Sequence, residues 1–94
     1  MFVSIRKYRN APKEADIFEL VETGLVPLLK EIPGFEAYYL VNCGYDTLTA
    51  ISVFTSPEAA LASNEKAAEW VRANIGEDLP SEASAGEVLI SALP

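Results

Sequence analysis

The chain has no histidine, a single cysteine, and half as many cationic as acidic side chains, 7 against 14. It also has no apolar run approaching the ~18 residues that cross a bilayer. Each shortage excludes something. Without histidine a structural zinc site is ruled out of the first expectations, and the commonest general base is missing. Cys43 alone forms no internal disulfide and reads as a small residue at a turn. A net charge of −7 argues against nucleic acid, whose phosphates require a basic surface to release counterions. The segment MFVSIRKYR lacks the layout of a signal peptide, so a soluble, cytoplasmic protein without membrane contact is expected. No internal repeat, low-complexity tract or linker divides residues 1–94, which read as a single domain. A domain of this length buries about 60–65% of its unfolded surface, an adequate but thin core.

What is present is organised around Leu48–Ile75. The apolar, β-branched run Leu48 to Phe54 meets Thr55-Ser56-Pro57-Glu58 and then a helical pattern. Ser56 suits the N-cap and Pro57 the first helical position, where a missing N–H costs nothing; with Thr55 as cap instead, Glu58 completes a capping box. At ~100° per residue Leu61, Asn64, Ala68, Val71 and Ile75 share one face, flanked by Ala60 and Ala67.

In chain order, Phe2–Tyr8 is the first strand, with Val3 and Ile5 on one face and Phe2, Ser4 and Tyr8 on the other. A helical period begins at Glu14 and places Ile17, Leu20, Val21, Gly24, Leu25, Leu28 and Ile32 on one face. Pro27 deletes the hydrogen bond to the Thr23 carbonyl, so a kink or break is expected there. Gly24 on the buried side predicts close approach to a neighbour. Ile32-Pro33-Gly34 stops the helix. Phe35–Asn42 and Thr47–Phe54 form an antiparallel hairpin across Cys43-Gly44-Tyr45-Asp46. Gly76 to Ser81 reads as a loop, and Glu87–Leu93 as the closing strand. The order βαββαβ predicts an α+β, ferredoxin-like fold: a four-stranded antiparallel sheet with two helices on one face.

Two helices cover one face of such a sheet, yet strands two and three carry large apolar groups on both. Leaving four or five exposed forfeits about 1.5–3 kcal/mol each. A second copy packed sheet against sheet is the expected cover, hence a homodimer. The cationic residues Arg6, Lys7, Arg9 and Lys13 crowd the N-terminal end, where a solvated strand end is expected and an anionic ligand is the alternative.

The strand order, the segment Ile32-Pro33-Gly34-Phe35-Glu36-Ala37-Tyr38-Tyr39, the strand Ile51-Ser52-Val53-Phe54 leading to a helix with Ser63-Asn64 and Trp70-Val71, and Gly86-Glu87-Val88-Leu89 resemble one family. Together they look like the antibiotic-biosynthesis-monooxygenase-type domains of the dimeric α/β-barrel superfamily. The resemblance covers nearly the whole chain. It implies a homodimer whose two sheets form a barrel, with a pocket in each subunit between sheet and helices. Members include cofactor-free oxygenases of phenolic or anthrone-like molecules, haem-degrading enzymes and proteins handling small metabolites. The oxygenases use Asn and Trp on the second helix, which implies roles here for Asn64 and Trp70. The family's Trp follows its Asn by one helical turn, a position held here by Ala68. Haem degradation needs an iron-ligating histidine and is set aside; no cofactor or metal is expected.

Asn64 is therefore the expected catalytic residue, steadying an enolate or phenolate oxygen, against a structural role bonding backbone or buried water. Trp70, Tyr39 and Arg72 are the expected substrate-binding residues. For Trp70 the competing role is packing or a dimer contact, and for Arg72 an ion pair with Glu65 or Glu69. Tyr38 and Tyr39 point to opposite faces, so one at most lines a pocket within the subunit. Two functions follow: a cofactor-independent monooxygenase acting on a small phenolic molecule, or a homodimer of the same fold that binds a small apolar or aromatic ligand without turnover. A pocket lined by Asn64 and a second polar group would favour the first; a cavity filled by Leu20, Leu61 and the strand aromatics would favour the second.

Overall fold

The computed structural model describes residues 1–11, 15–76, 79 and 81–94. Lys13 of the cationic group, the expected helix start at Glu14, and Pro12, Glu77, Asp78 and Pro80 lie outside the described residues. The elements are β1 (Phe2–Tyr8), α1 (Ala15–Leu20), a π-helical turn (Val21–Leu25), α2 (Val26–Lys30), β2 (Phe35–Gly44), β3 (Thr47–Phe54), α3 (Pro57–Asn74) and β4 (Ser81–Glu87). The sheet runs β2-β3-β1-β4 with every neighbouring pair antiparallel, the ferredoxin-like α+β arrangement. Ser4, Arg6 and Tyr8 of β1 and Leu48, Ala50, Ser52 and Phe54 of β3 are buried, while their odd- or even-numbered neighbours are not. That alternation puts both helical rods on one face.

Pro27 acts as expected, and the break takes the form of the π turn. Its absent N–H interrupts the ladder, and the Val26 N–H reaches back to the Val21 carbonyl. The wider turn shifts the phase of the buried stripe, so Leu29, and not Leu28, is the most buried residue of α2; Leu20 of the expected stripe is largely exposed. Gly24 makes the close approach its position predicted. A Cβ there would lie 2.9 Å from Cζ2 of Trp70.

In the hairpin, a bulge at Glu36 turns Phe35 onto the helix side with Tyr38 and Leu40. Phe35 meets Phe54 edge-on at 5.8 Å and 77°. Tyr45 and Asp46, at φ 49° and 58°, make the two-residue turn with the positive φ pair that matches strand twist. Ser56 caps α3, its Oγ accepting from the Ala59 N–H at 3.2 Å with Pro57 next in line. The Thr55 alternative is set aside; Thr55 packs its hydroxyl over Gly34, whose φ of 91° admits no side chain.

Two expectations fail. The buried face of α3 is Ala59, Ala60, Ser63, Ala67, Trp70 and Val71, turned roughly 100° from the expected stripe. Leu61 is 59% exposed. Small residues at four of those six positions let α3 lie close to the sheet, and close packing outweighs placing one leucine inside. The last strand is Ser81–Glu87, not Glu87–Leu93. β1 is fully paired by that segment, Phe2 with Glu87 through Tyr8 with Ser81. After the Val88 N–H bonds the Met1 carbonyl at 2.9 Å, β1 has no backbone left to pair. Leu89, Ile90 and Leu93 are thus left between 83% and 90% exposed.

Candidate functional site

Period two on β1 sends Ser4, Arg6 and Tyr8 under the helices, an unusually polar row for a buried face. Ser4 Oγ and Ser63 Oγ lie 3.0 Å apart, and the Ser63 hydroxyl also donates to the Ala60 carbonyl at 2.7 Å, so α3 and β1 are joined by hydroxyls. Arg6 is only 7% exposed. Its Nε donates to Tyr8 Oη at 2.8 Å, Nη1 donates to the Asn64 carbonyl, and its guanidinium carbon stands 5.6 Å from the Tyr8 ring centroid. All three partners are neutral. Arg9–Glu82, at 2.7 Å on the surface, is the ion pair among the described residues, and no described carboxylate faces Arg6.

These groups wall a chamber of about 40 Å³ between sheet and helices. Its polar lining is Ser4, Arg6, Tyr8, Tyr38, Ser52 and Ser63, and its apolar lining includes Val21, Leu25, Leu40, Leu48, Ala67 and Val71. The chamber adjoins an open groove of about 530 Å³ between α1–α2 and the β2 edge, walled by Phe18, Val26, Phe35 and Tyr38 with Glu22, Lys30 and Asn42 at its polar rim. Val21, Tyr38, Leu40 and Leu48 line both spaces. Tyr38 therefore stands in the partition. Burial holds its hydroxyl well above the ordinary tyrosine range, Tyr8 adds to the effect and Arg6 opposes it. At neutral pH it is a proton donor in hydrogen bonds and not a base.

The residues expected from sequence are dispersed. Asn64 stands at the edge of α3 and lines neither chamber nor groove. Its Oδ1 is buried without a hydrogen-bond partner, while its carbonyl receives Arg6. Trp70 is in the core against Gly24. Tyr39 is 57% exposed on the opposite sheet face, and its neighbour Tyr38 takes the inward place. Arg72 is exposed, makes no ion pair with Glu65 or Glu69, and shares with Arg6 and Tyr8 the wall of a surface depression of about 180 Å³. Leu20 and Leu61 do not fill the interior. The residue missed was Arg6. Its even position beside Ser4 and Tyr8 already assigned it to the inward face, but its charge suggested solvent.

No family model matches the chain, and no curated protein matches it. Solved structures do. The monooxygenase from the gene ActVA-Orf6 of Streptomyces coelicolor, solved in complex with Nanaomycin D, superposes with a TM-score of 0.72 at 17% identity, over 99% of this chain and 91% of that one. SnoaB, a cofactor-independent oxygenase from Streptomyces nogalater, gives 0.69 at 18% identity, over 99% and 96%. The heme-degrader MhuD from Mycobacterium tuberculosis, with two hemes bound in its active site, gives 0.59 at 18%, over 98% and 99%. At these identities the likeness is one of fold: the ferredoxin-like α+β arrangement of this chain is the one these oxygenases share.

Proposed function

We propose that the protein is a cofactor-independent, monooxygenase-like homodimer acting on a small phenolic molecule. The observation that carries this reading is the continuity of an aromatic-walled groove with a hydroxyl-lined chamber through Tyr38. The groove has the size of a small-molecule site, and the few convergent polar groups lie at one end of it. A phenolic ring lies among Phe18, Phe35 and Leu40 with its acidic oxygen turned toward Tyr38. The phenolic proton leaves to water through the open groove, and the resulting anion carries electron density onto a ring carbon. That carbon reduces O₂ and forms a hydroperoxide. Where that carbon bears a hydrogen, the hydroperoxide takes up a proton from water and then loses H₂O: the phenolic O–H, the ring C–H and O₂ become a second C=O and H₂O, all four electrons coming from the substrate. The protonated Tyr38 hydroxyl donates to the oxyanion; Asn64, the donor expected from sequence, lines neither space, and its buried, unpartnered Oδ1 is the reason to test it.

The dimer is part of the same reading. Val3, Ile5, Tyr39, Val41, Ile51 and Val53 form an apolar outer sheet face that the helices do not reach. A second copy covers it, closing the two sheets into a barrel.

Oxygen uptake on a panel of phenols, with mass spectrometry of the products, tests the reaction. One O₂ consumed per carbonyl formed is the expected result, and Tyr38→Phe should slow it about 100-fold or more, the usual effect of losing an oxyanion donor. Uptake unchanged by Asn64→Leu removes that residue from the mechanism. Asn64 lines neither space, which favours a second reading, ligand binding without turnover; binding of phenols with no oxygen uptake would establish it.

A further inference from the structure

We infer that the site takes its ligand as an anion, with Arg6 as the counter-ion for an oxyanion of the carboxylate or ionised-phenol type. This deepens the proposed function and rests on its location for the ligand. Arg6 is a charge on the face beneath the helices and 7% exposed, and among the described residues its company is a phenol oxygen, a backbone carbonyl and a ring face. Removing a guanidinium from water is costly, and buried charges ordinarily have an opposite charge beside them. Here neither Arg6 nor Arg72, which shares a surface depression with it, has a carboxylate within ion-pair distance among the described residues.

The surroundings leave space for an anion. The residues beside Arg6 in the sheet are Ala50 and Ala83, whose single methyl groups do not screen the guanidinium. Nε and Nη1 are occupied, which leaves Nη2 with two N–H donors. Arg6 and Tyr38 line the same chamber, so an oxygen entering past the Tyr38 ring meets a neutral hydroxyl donor and then a fixed cation. The elevated proton affinity of Tyr38 agrees with this arrangement, because a tyrosine that stays protonated donates to an anion and does not repel it. Serine hydroxyls, tyrosine hydroxyls and the guanidinium are the polar lining; the described lining has no acidic residue. Such a chamber discriminates by charge, and a neutral isostere leaves Arg6 desolvated and uncompensated.

The test is calorimetric, on the unmodified protein and on Arg6→Met, with two matched pairs of probes. The pairs are 2-naphthoate against 2-naphthamide, and 4-nitrophenol at a pH where it is ionised against 4-nitroanisole. The unmodified protein should bind 2-naphthoate at least about 10-fold more tightly than the amide, equivalent to about 1.4 kcal/mol. Arg6→Met should bring that ratio to about one, by weakening 2-naphthoate and relieving the penalty on the amide. A preference in both pairs identifies a site for any oxyanion; a preference in the first alone identifies a carboxylate site. Equal binding of acid and amide by the unmodified protein overturns the inference and leaves the aromatic site standing. If no probe of either charge binds, the ligand site itself is wrong and this inference falls with it. Because the acid-to-amide comparison needs no variant, it decides the matter even where Arg6→Met fails to fold.

Discussion

Each face of the sheet carries side chains that usually belong to the other. The inner face, under the helices, carries Ser4, Arg6, Tyr8, Tyr38 and Ser52; the outer face, which the helices do not reach, carries Val3, Ile5, Tyr39, Val41, Ile51 and Val53. Adjacent rows show it most directly. Tyr39, Ile51 and Ile5 pair across three strands on the outer side, and one residue along, Leu40, Ala50 and Arg6 pair on the inner side. An antiparallel sheet with one covered face normally alternates apolar inward and polar outward. The departure is the observation on which the proposed site and the proposed assembly rest. The proposed ligand accounts for the buried polar groups, and the proposed second copy for the exposed apolar ones.

The largest effects belong to the part of the inner face that is ordinary core. Phe54 is fully buried and meets Phe35 edge-on, so Phe54→Ala should lower unfolding free energy by about 3–5 kcal/mol in urea titrations. A loss under about 1 kcal/mol would mean that the rods do not pack as described. The outer face should respond through assembly. Ile51→Arg puts an uncompensated charge at the centre of the proposed dimer, a cost of about 3 kcal/mol, and should weaken association roughly 100-fold with far-UV circular dichroism unchanged. Sedimentation of the unmodified protein as a monomer at micromolar concentration would dissolve the contrast between the faces.

Next in size is the contact between the two rods. A Cβ on Gly24 would lie 2.9 Å from the Trp70 ring, so Gly24→Ala should destabilise by about 1–3 kcal/mol. Trp70→Phe in that background should recover part of the loss, because the smaller ring vacates the contested space. No recovery would mean that Trp70 is not what Gly24 accommodates.

How much of this was legible in the sequence depended on which force decided each element. Local chemistry was readable: Ser56-Pro57 opens α3, Pro27 breaks the first rod, and Gly24 marks a close approach. The antiparallel βαββαβ sheet was readable too, but the bounds of its last strand were not. Ser81–Glu87 has little intrinsic preference for a strand, and β1 recruits it because its backbone supplies the partner, while the more strand-like Leu89 and Ile90 stay exposed. The face of α3 was misread because hydrophobicity favoured Leu61, where alanine-sized residues give the closest fit to the sheet. The expected site suffered the same way. The alternation of β2 makes only one of Tyr38 and Tyr39 inward without saying which, and the charge of Arg6 points to solvent while its parity matches Ser4 and Tyr8.

Alkaline titration sharpens the inner face further. The Tyr38 hydroxyl is held above its ordinary value by burial, whereas in the unfolded chain it ionises near pH ~10. Above that pH the unfolded state releases the proton and the folded state keeps it, so stability falls as pH rises, by up to about 1.4 kcal/mol per pH unit from this group. Below it the contribution is fully present. Tyr38→Phe should flatten that part of the decline in urea midpoints measured between pH 9 and 11; an unaltered slope would place Tyr38 in water.

The smallest expected effect is the most discriminating. Were Arg6 a structural residue, deleting it would be among the costly changes, since breaking a buried charge cluster typically costs about 3–5 kcal/mol. Arg6→Met instead removes a charge that has no acidic neighbour among the described residues and fills the space with an apolar chain of similar length. Neither partner is stranded: the Asn64 carbonyl lies within α3 and keeps its helical acceptor role, and the Tyr8 hydroxyl loses a donor but not its own proton. The recovered desolvation and the lost hydrogen bonds, each on the order of 1 kcal/mol net, nearly cancel. Arg6→Met should therefore unfold within about 1 kcal/mol of the unmodified protein. Stability so little changed, together with a lost preference for anions, would separate a residue kept for its ligand from one kept for the fold; a loss of 3 kcal/mol or more would return Arg6 to the core.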